Sequence, residues 1–112
     1  MEQQYRLRKN GQFRYVYRKG KGGACRELAL GFVKGPKMLV GFAVSKKIGN
    51  AVTRNLTKRR LREAFRRELP KLKKGMYVIT ARETASGADF HRLSASLCYL
   101  LRKQNLYRDE QK

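Results

Sequence analysis

Residues 45–67, SKKIGNAVTRNLTKRRLREAFRR, carry nine lysines and arginines against one glutamate, yet apolar residues recur through them at helical spacing. At about 100° per residue, four positions fall together in one stripe of a helix. They are Thr57, Leu61, Ala64 and Phe65. A helix of this kind has one side fixed against a core and displays its charges in a rigid arrangement.

The flank beside this stripe holds four cations and one amide: Asn55, Lys58, Arg59, Arg62 and Arg66. Most charge runs are solvated helix faces whose opposite charges pair at i,i+4. Residues 54–62 contain no carboxylate, so such pairing does not explain this flank. The pattern predicts phosphate binding, and Asn55 adds a group suited to sugar hydroxyls or base edges. Lys46, Lys47 and Gly49 lie just before the helix, whose first amides also attract anions.

The overall charge points to a polyanionic partner. The 112 residues include 28 lysines and arginines and 8 acidic residues, which gives a net charge of +20. Nucleic acid and an acidic membrane surface are the two candidate partners. No apolar run reaches the roughly 18 residues of a spanning helix, and no signal-peptide pattern is seen, so we expect a cytoplasmic protein without a membrane partner. We also expect one domain over 1–112, with about 105–112 as a flexible tail.

The periodicity predicts six elements in the order helix, strand, strand, helix, strand, helix. The predicted ranges are a helix at 10–19 with Asn10 as a candidate cap, a flexible break at 20–23, strands at 27–33 and 38–44 joined by a hairpin turn at 34–37, a helix at 51–69 capped by Asn50, a strand at 76–81, and a helix after Asp89. This order predicts an α+β fold, a small and mainly antiparallel sheet with helices packed on it. The strand–helix–strand step predicts one parallel pair.

Residue types that commonly carry catalysis or bind metals are sparse. Cys25 and Cys98 are expected to be reduced packing residues, and His91 is expected at the surface. The eight carboxylates form no short cluster of the kind that two-metal nucleases use. We therefore predict no catalytic residue and no metal site on the protein itself.

The segment 44–66, VSKKIGNAVTRNLTKRRLREAFR, resembles the signature of the bacterial ribonuclease P protein component. The matching residues are Val44, Ser45, Lys46, Lys47, Gly49, Ala51, Val52, Arg54, Asn55, Lys58, Arg59, Arg62 and Phe65. Leu7, Phe13 and Tyr17 resemble the family's first-helix pattern, and residues 78–82 resemble its strand ending in Ala-Arg. The resemblance covers the chain except for its last few residues.

The resemblance implies a ribonucleoprotein endoribonuclease that removes the 5′ leader from precursor tRNA. In that family the RNA subunit holds the catalytic centre and its Mg²⁺. The protein, one per RNA, binds the catalytic RNA and the leader and improves the affinity for substrate and magnesium. The residues expected to contact RNA are Lys46, Lys47, Arg54, Asn55, Lys58, Arg59, Arg62 and Arg66.

The resemblance also implies a fold similar to the second domain of ribosomal protein S5, with a left-handed βαβ crossover. Periodicity alone predicts the common right-handed crossover.

A cleft between the first helix and the sheet is where this family binds the leader. The residues expected there are Phe13, Tyr17, Ala29 and Gly31. Aromatic side chains at i and i+4 in a basic domain suit base stacking. Phe13 has the alternative of pinning the helix to the core, and Gly31 stands where several relatives carry a larger residue.

Two other classes share some of these features. A structural ribosomal protein has the same charge, size and fold class, and it differs in lacking the Arg-Asn and Lys-Arg helix pattern and in co-purifying with a ribosomal subunit. A DNA-binding regulator needs a recognition helix with base-reading polar residues and usually a dimer interface. The helix at 51–69 is too uniformly cationic for that role.

Overall fold

The computed structural model describes residues 10–108, and these form three helices and a four-stranded sheet. The elements are α1 (Asn10–Lys19), β1 (Lys21–Ala24), β2 (Leu28–Lys34), β3 (Leu39–Val44), α2 (Ala51–Glu68), β4 (Gly75–Ala81) and α3 (Phe90–Lys103). Short 3₁₀ turns lie at Lys46–Ile48, Leu69–Lys71 and Glu83–Ala85. The predicted α+β class is confirmed, and the predicted order gains one strand, β1.

The strands lie in the order β1-β2-β4-β3. β1 and β2 are antiparallel, as are β2 and β4, whereas β3 and β4 are parallel. The predicted parallel pair and the mainly antiparallel sheet are therefore confirmed. The hairpin predicted at 34–37 is wrong, because β4 lies between the two strands that it was expected to join.

β4 takes the central position because its side chains are buried on both faces. Tyr77, Val78 and Ile79 are all fully buried, which is typical of a strand covered by helices on both sides. Such a strand needs a hydrogen-bonding neighbour at each edge. At Gly75 the strands approach so closely that a Cβ atom would lie 2.4 Å from the Val33 carbonyl oxygen. This contact explains why β4 begins with glycine.

The segment predicted as a flexible break is instead the edge strand β1. Its sequence, KGGA, has neither β-branched residues nor alternating polarity, so its side chains do not indicate a strand. The strand is held by backbone pairing with β2, in which Lys21 lies opposite Phe32 and Gly22 opposite Gly31.

The helices cover both faces of the sheet. α2 and α3 cover the larger core, in which Leu93, Leu97, Leu100 and Leu101 of α3 are buried. α1 lies on the opposite face, where Val16 packs on Val78. The Asp89 carboxylate accepts from the Arg92 amide and caps α3, as predicted. The role of the Asn10 side chain lies outside what the structure describes.

The chain after α3 is packed as far as the structure describes it. Leu106 and Tyr107 are buried, and the Tyr107 hydroxyl donates to Glu68 at 2.9 Å. The flexible tail was expected from about residue 105, so its predicted start is too early. Residues 109–112 and Leu7 lie outside the described residues, and the single domain over 1–112 stays a prediction. No helix among residues 10–108 is long and apolar enough to cross a membrane.

Candidate nucleic-acid interface

α2 is anchored as the sequence predicts. The Asn50 side chain accepts a hydrogen bond from the Thr53 amide at 2.9 Å and caps the helix. The predicted stripe, Thr57, Leu61, Ala64 and Phe65, is buried without exception. Phe65 meets Tyr77 edge-on at 5.4 Å between ring centroids, which joins α2 to the central strand. One side of α2 is thus rigidly held, and the charged flank has a fixed orientation.

The predicted cationic row lies along the accessible flank of α2. We use this name for Arg54, Asn55, Lys58, Arg59, Arg62 and Arg66. Asn55, Arg59 and Arg66 are exposed, while the other three are half-buried. Lys46 and Lys47 are exposed in the 3₁₀ turn before the helix, and the Ser45 hydroxyl accepts from the Lys47 amide. Lys46 and Lys47 thus immediately precede the helix that carries the row.

Arg66 of the row is paired with Glu63 on the same helix. Its Nε donates to Glu63 Oε1 at 3.2 Å and its Nη2 to Oε2 at 2.5 Å. This forked hydrogen bond holds the pKa of the Glu63 carboxyl below its usual value. Lys47 lies 3.8 Å from Glu83, a looser pair between two exposed side chains. Arg59, by contrast, makes no ion pair within residues 10–108.

Two other arginines of α2 hold the loop before α3 and the start of that helix. Arg60 Nη1 donates to the Ala88 carbonyl oxygen at 2.8 Å. The Arg67 guanidinium lies 4.7 Å from the centre of the Phe90 ring. These contacts separate the structural arginines of α2 from those of the cationic row.

A cleft of about 180 Å³ lies between α1 and the sheet. It is lined by Tyr17 together with small residues of β1 and β2, including the predicted Ala29 and Gly31. Tyr17 is 56% exposed, and its hydroxyl lies 3.0 Å from Thr80 Oγ1 on β4. Arg14 and Arg18 border a shallow depression that Tyr17 also lines. An aromatic face flanked by cations is an arrangement that suits single-stranded nucleic acid.

Three of the four residues expected in the cleft line it in the structure. Tyr17, Ala29 and Gly31 line it, whereas Phe13 packs under α1 with Val33 and Leu39 and does not. A Cβ atom at Gly31 would come within 3.1 Å of a Val16 methyl group. The glycine therefore allows α1 to sit close to β2. Phe13 packs against the Val16–Val78 cluster but is only half-buried, so its leader contact, like those of the other three, stays a prediction.

Sequence reasoning missed several cleft residues, namely Gly20, Gly22, Gly23 and Thr80. The glycines were assigned to a flexible break and so to no surface. Apart from Tyr77, Thr80 is the only residue of β4 with a polar group in its side chain, a signal that could have marked it.

The described residues contain no group of three or more histidine, cysteine or acidic side chains placed to hold a metal ion. Cys25 and Cys98 are free and half-buried, and His91 is exposed, as expected. The carboxylates of Glu2, Asp109 and Glu110 lie outside the described residues.

Comparison with known proteins decides the family. A family model described as Ribonuclease P matches residues 1–105. The chain belongs to the ribonuclease P protein family. The ribonuclease P protein component of Bacillus velezensis is 40% identical over 111 residues, which cover 96% of each chain. That of Clostridium botulinum is 39% identical over 106 residues, covering 91% of this chain and 96% of the relative.

Solved structures of ribonuclease P proteins have the same fold. The protein from Staphylococcus aureus superposes with a TM-score of 0.86 and 30% identity, covering 93% of this chain and 98% of its own. The protein from Thermotoga maritima gives a TM-score of 0.78 and 30% identity, covering 88% and 96%. The family implied by the helix signature is thus confirmed, and the protein is related to a component of a tRNA-processing enzyme.

Proposed function

We propose that this protein binds the catalytic RNA of ribonuclease P through the cationic row with Lys46 and Lys47, and the 5′ leader of precursor tRNA through the cleft. The observation that carries the proposal is the division of α2 into a buried stripe and an accessible cationic flank. A rigid row of guanidinium and ammonium groups suits the repeated negative charge of a phosphate backbone.

The cleft supports the second contact. It lies on the α1 face of the sheet, whereas α2 covers the other face, so the two surfaces are separate. A protein that holds two RNA segments at once brings them together, and this raises the affinity for a substrate that has a leader. We expect one protein for each catalytic RNA, acting in the cytoplasm.

We place the catalytic centre and its Mg²⁺ in the RNA subunit. The protein's contribution to magnesium affinity follows from holding the RNA in its binding conformation, because a ligand that favours one state also strengthens other ligands of that state. The absence of a three-residue metal cluster within residues 10–108 fits this assignment, and no step is assigned to a protein carboxylate.

The decisive experiment reconstitutes the protein with its matching catalytic RNA at low magnesium and follows the cleavage of a precursor tRNA. We expect stimulation that is strongest for substrates with a leader of several nucleotides. A protein that gives no stimulation, or that sediments with ribosomal subunits instead, is not acting as proposed.

A further inference from the structure

A second basic surface lies at the opposite end of the sheet from the start of α2. It is a groove of about 750 Å³ at the ends of α1 and β2, the loop before β4, and the end of α3. Lys46 and Lys47 follow the end of β3, which is parallel to β4, whereas this groove lies where β4 begins. We call it the lysine groove after its cations, which are Lys19, Lys21, Lys34, Lys73 and Lys74.

The lysine groove carries uncompensated positive charge. All five lysines are exposed, and no aspartate or glutamate lines the groove. None of the five makes an ion pair with another residue in 10–108. Like charges gathered in one concavity repel each other, and a phosphate chain that enters the groove relieves this repulsion.

The lysine groove and the cleft are lined by neighbouring pairs of the β1–β2 register. Gly22 and Gly31 are paired and line the cleft, while Lys21 and Phe32 form the next pair and line the groove. The order along the chain shows the same alternation, because Lys19 and Lys21 belong to the groove and Gly20 to the cleft.

The edge strand β1 places no side chain between the two cavities at Gly22. Gly22 is exposed and has no side chain, so β1 presents only backbone there. A Cβ atom at Gly22 would meet only the Leu30 carbonyl oxygen, at an ordinary distance of 3.6 Å. No side chain at Gly22 therefore separates the cleft from the groove, and the fold itself does not require this glycine for space.

We propose that the lysine groove binds phosphates of the 5′ leader upstream of the nucleotides held in the cleft. This inference rests on the proposed function and extends it. If the groove binds these phosphates, the affinity for a substrate depends on the length of its leader, because only a leader that crosses β1 reaches the lysines.

The test uses the holoenzyme assembled with its catalytic RNA and three substrates: mature tRNA, a precursor with a leader of about 4 nucleotides, and one of about 16, the range of single-strand site sizes. The variant Lys34→Gln/Lys74→Gln removes two groove charges. Lys37→Gln/Lys103→Gln removes the same charge from exposed positions outside the groove.

We expect the groove variant to lose affinity several-fold for the long-leader substrate alone. The slope of its log affinity against log salt concentration should be smaller in magnitude by about 1.4, because each single-strand phosphate contact contributes about 0.7 to that slope. The control variant should bind all three substrates as the parent does. Gly22→Thr, which places a side chain where the two cavities adjoin, should weaken binding of the long-leader substrate more than that of the short-leader one, with the charge unchanged.

The outcomes separate the inference from the function on which it rests. If the parent binds the short-leader substrate more tightly than mature tRNA but gains nothing from the longer leader, the leader cleft stands and the lysine groove proposal is wrong. If the groove variant weakens all three substrates equally, the lysines contact another RNA segment, and the proposal is again wrong. If the parent binds mature tRNA and both precursors with the same affinity, the proposed leader binding is itself wrong, and the lysine groove proposal falls with it.

Discussion

The Tyr17 hydroxyl lies 3.0 Å from Thr80 Oγ1, and this hydrogen bond joins α1 to β4 across the mouth of the cleft. It fixes the direction of a ring that is otherwise more than half exposed. A ring whose direction is already fixed loses less side-chain entropy on binding, which would favour the proposed stacking on a leader base.

We expect Tyr17→Ala to weaken leader binding by about 1–3 kcal/mol, the value of one stacked base, and to leave mature tRNA binding unchanged. Tyr17→Phe and Thr80→Val keep the ring and should each cost no more than about 1 kcal/mol. Because both remove the same hydrogen bond, the double variant should cost no more than either single one.

The measurement is the affinity of the holoenzyme for substrates with and without a leader, with thermal unfolding as the control. A Tyr17→Ala variant that folds stably and still prefers the leader as strongly as the parent shows that Tyr17 does not touch the leader. Additive losses in the double variant show that the hydroxyl pair does not orient the ring.

Arg59 and Arg66 provide a matched pair within the cationic row, since both are exposed but only Arg66 is tied to Glu63. Removing Arg59 should weaken binding to the catalytic RNA and lower the salt slope by about 0.7–0.9, the contribution of one phosphate contact. Arg66→Ala should change both less, because RNA binding by Arg66 must first break a forked hydrogen bond. Titration of the catalytic RNA at several salt concentrations measures both quantities, and equal losses contradict the distinction.

Much of the fold follows from local signals in the sequence. The predicted ends of α2 and β4 lie within about two residues of the observed ones, which is ordinary precision for element boundaries, and α3 begins directly after Asp89, as expected. Strong periodicity and the caps Asn50 and Asp89 gave these signals. The cationic row follows from the same periodicity, because a buried stripe fixes the direction of every other side chain on a helix.

Strand pairing was not predictable in this way. The order β1-β2-β4-β3 depends on which strand has apolar side chains that must be buried on both faces of the sheet. That is a property of the assembled sheet and not of any one segment. β1 has no side-chain pattern that identifies it as a strand. The lysine groove and the boundary at Gly22, which depend on this strand, could therefore not be predicted from the sequence. The left hand of the β3–α2–β4 crossover was implied by family resemblance alone and stays a prediction, since general rules favour the right hand.

The net charge of +20 predicts that folding is sensitive to anions. Sulfate should raise the melting temperature more than sodium chloride at equal ionic strength, because binding to the native cationic row adds to simple screening. For a domain near this size, each kcal/mol of added stability raises the melting temperature by about 4–8 °C. Melting curves that depend on ionic strength alone would show that no anion site forms in the free protein.

Glu27 ties the sheet to α3 and should make stability depend on acid pH. It is buried, and its carboxylate accepts from Ser96 Oγ at 2.8 Å and pairs with Arg92 Nε at 3.0 Å. The Ser96 hydrogen bond, with a smaller effect of the Arg92 charge, lowers the pKa of Glu27 from its ordinary value of 4.5. A lowered native pKa means that the carboxylate stabilises the fold above the unfolded pKa, and that this stabilisation is lost as the pH falls through the native pKa.

Glu27→Gln keeps an acceptor for Ser96 but removes the charge that Arg92 faces, and we expect it to cost about 1–3 kcal/mol near neutral pH. The parent should lose stability between about pH 5 and pH 3, while the variant should lose less over the same range. Glu83→Gln is the matched control, because it removes a carboxylate whose pairing with Lys47 is exposed and contributes little. Denaturant unfolding at a series of pH values measures the difference. If the curves for the parent and Glu27→Gln stay parallel down to about pH 3, Glu27 is not the group through which acid destabilises the fold.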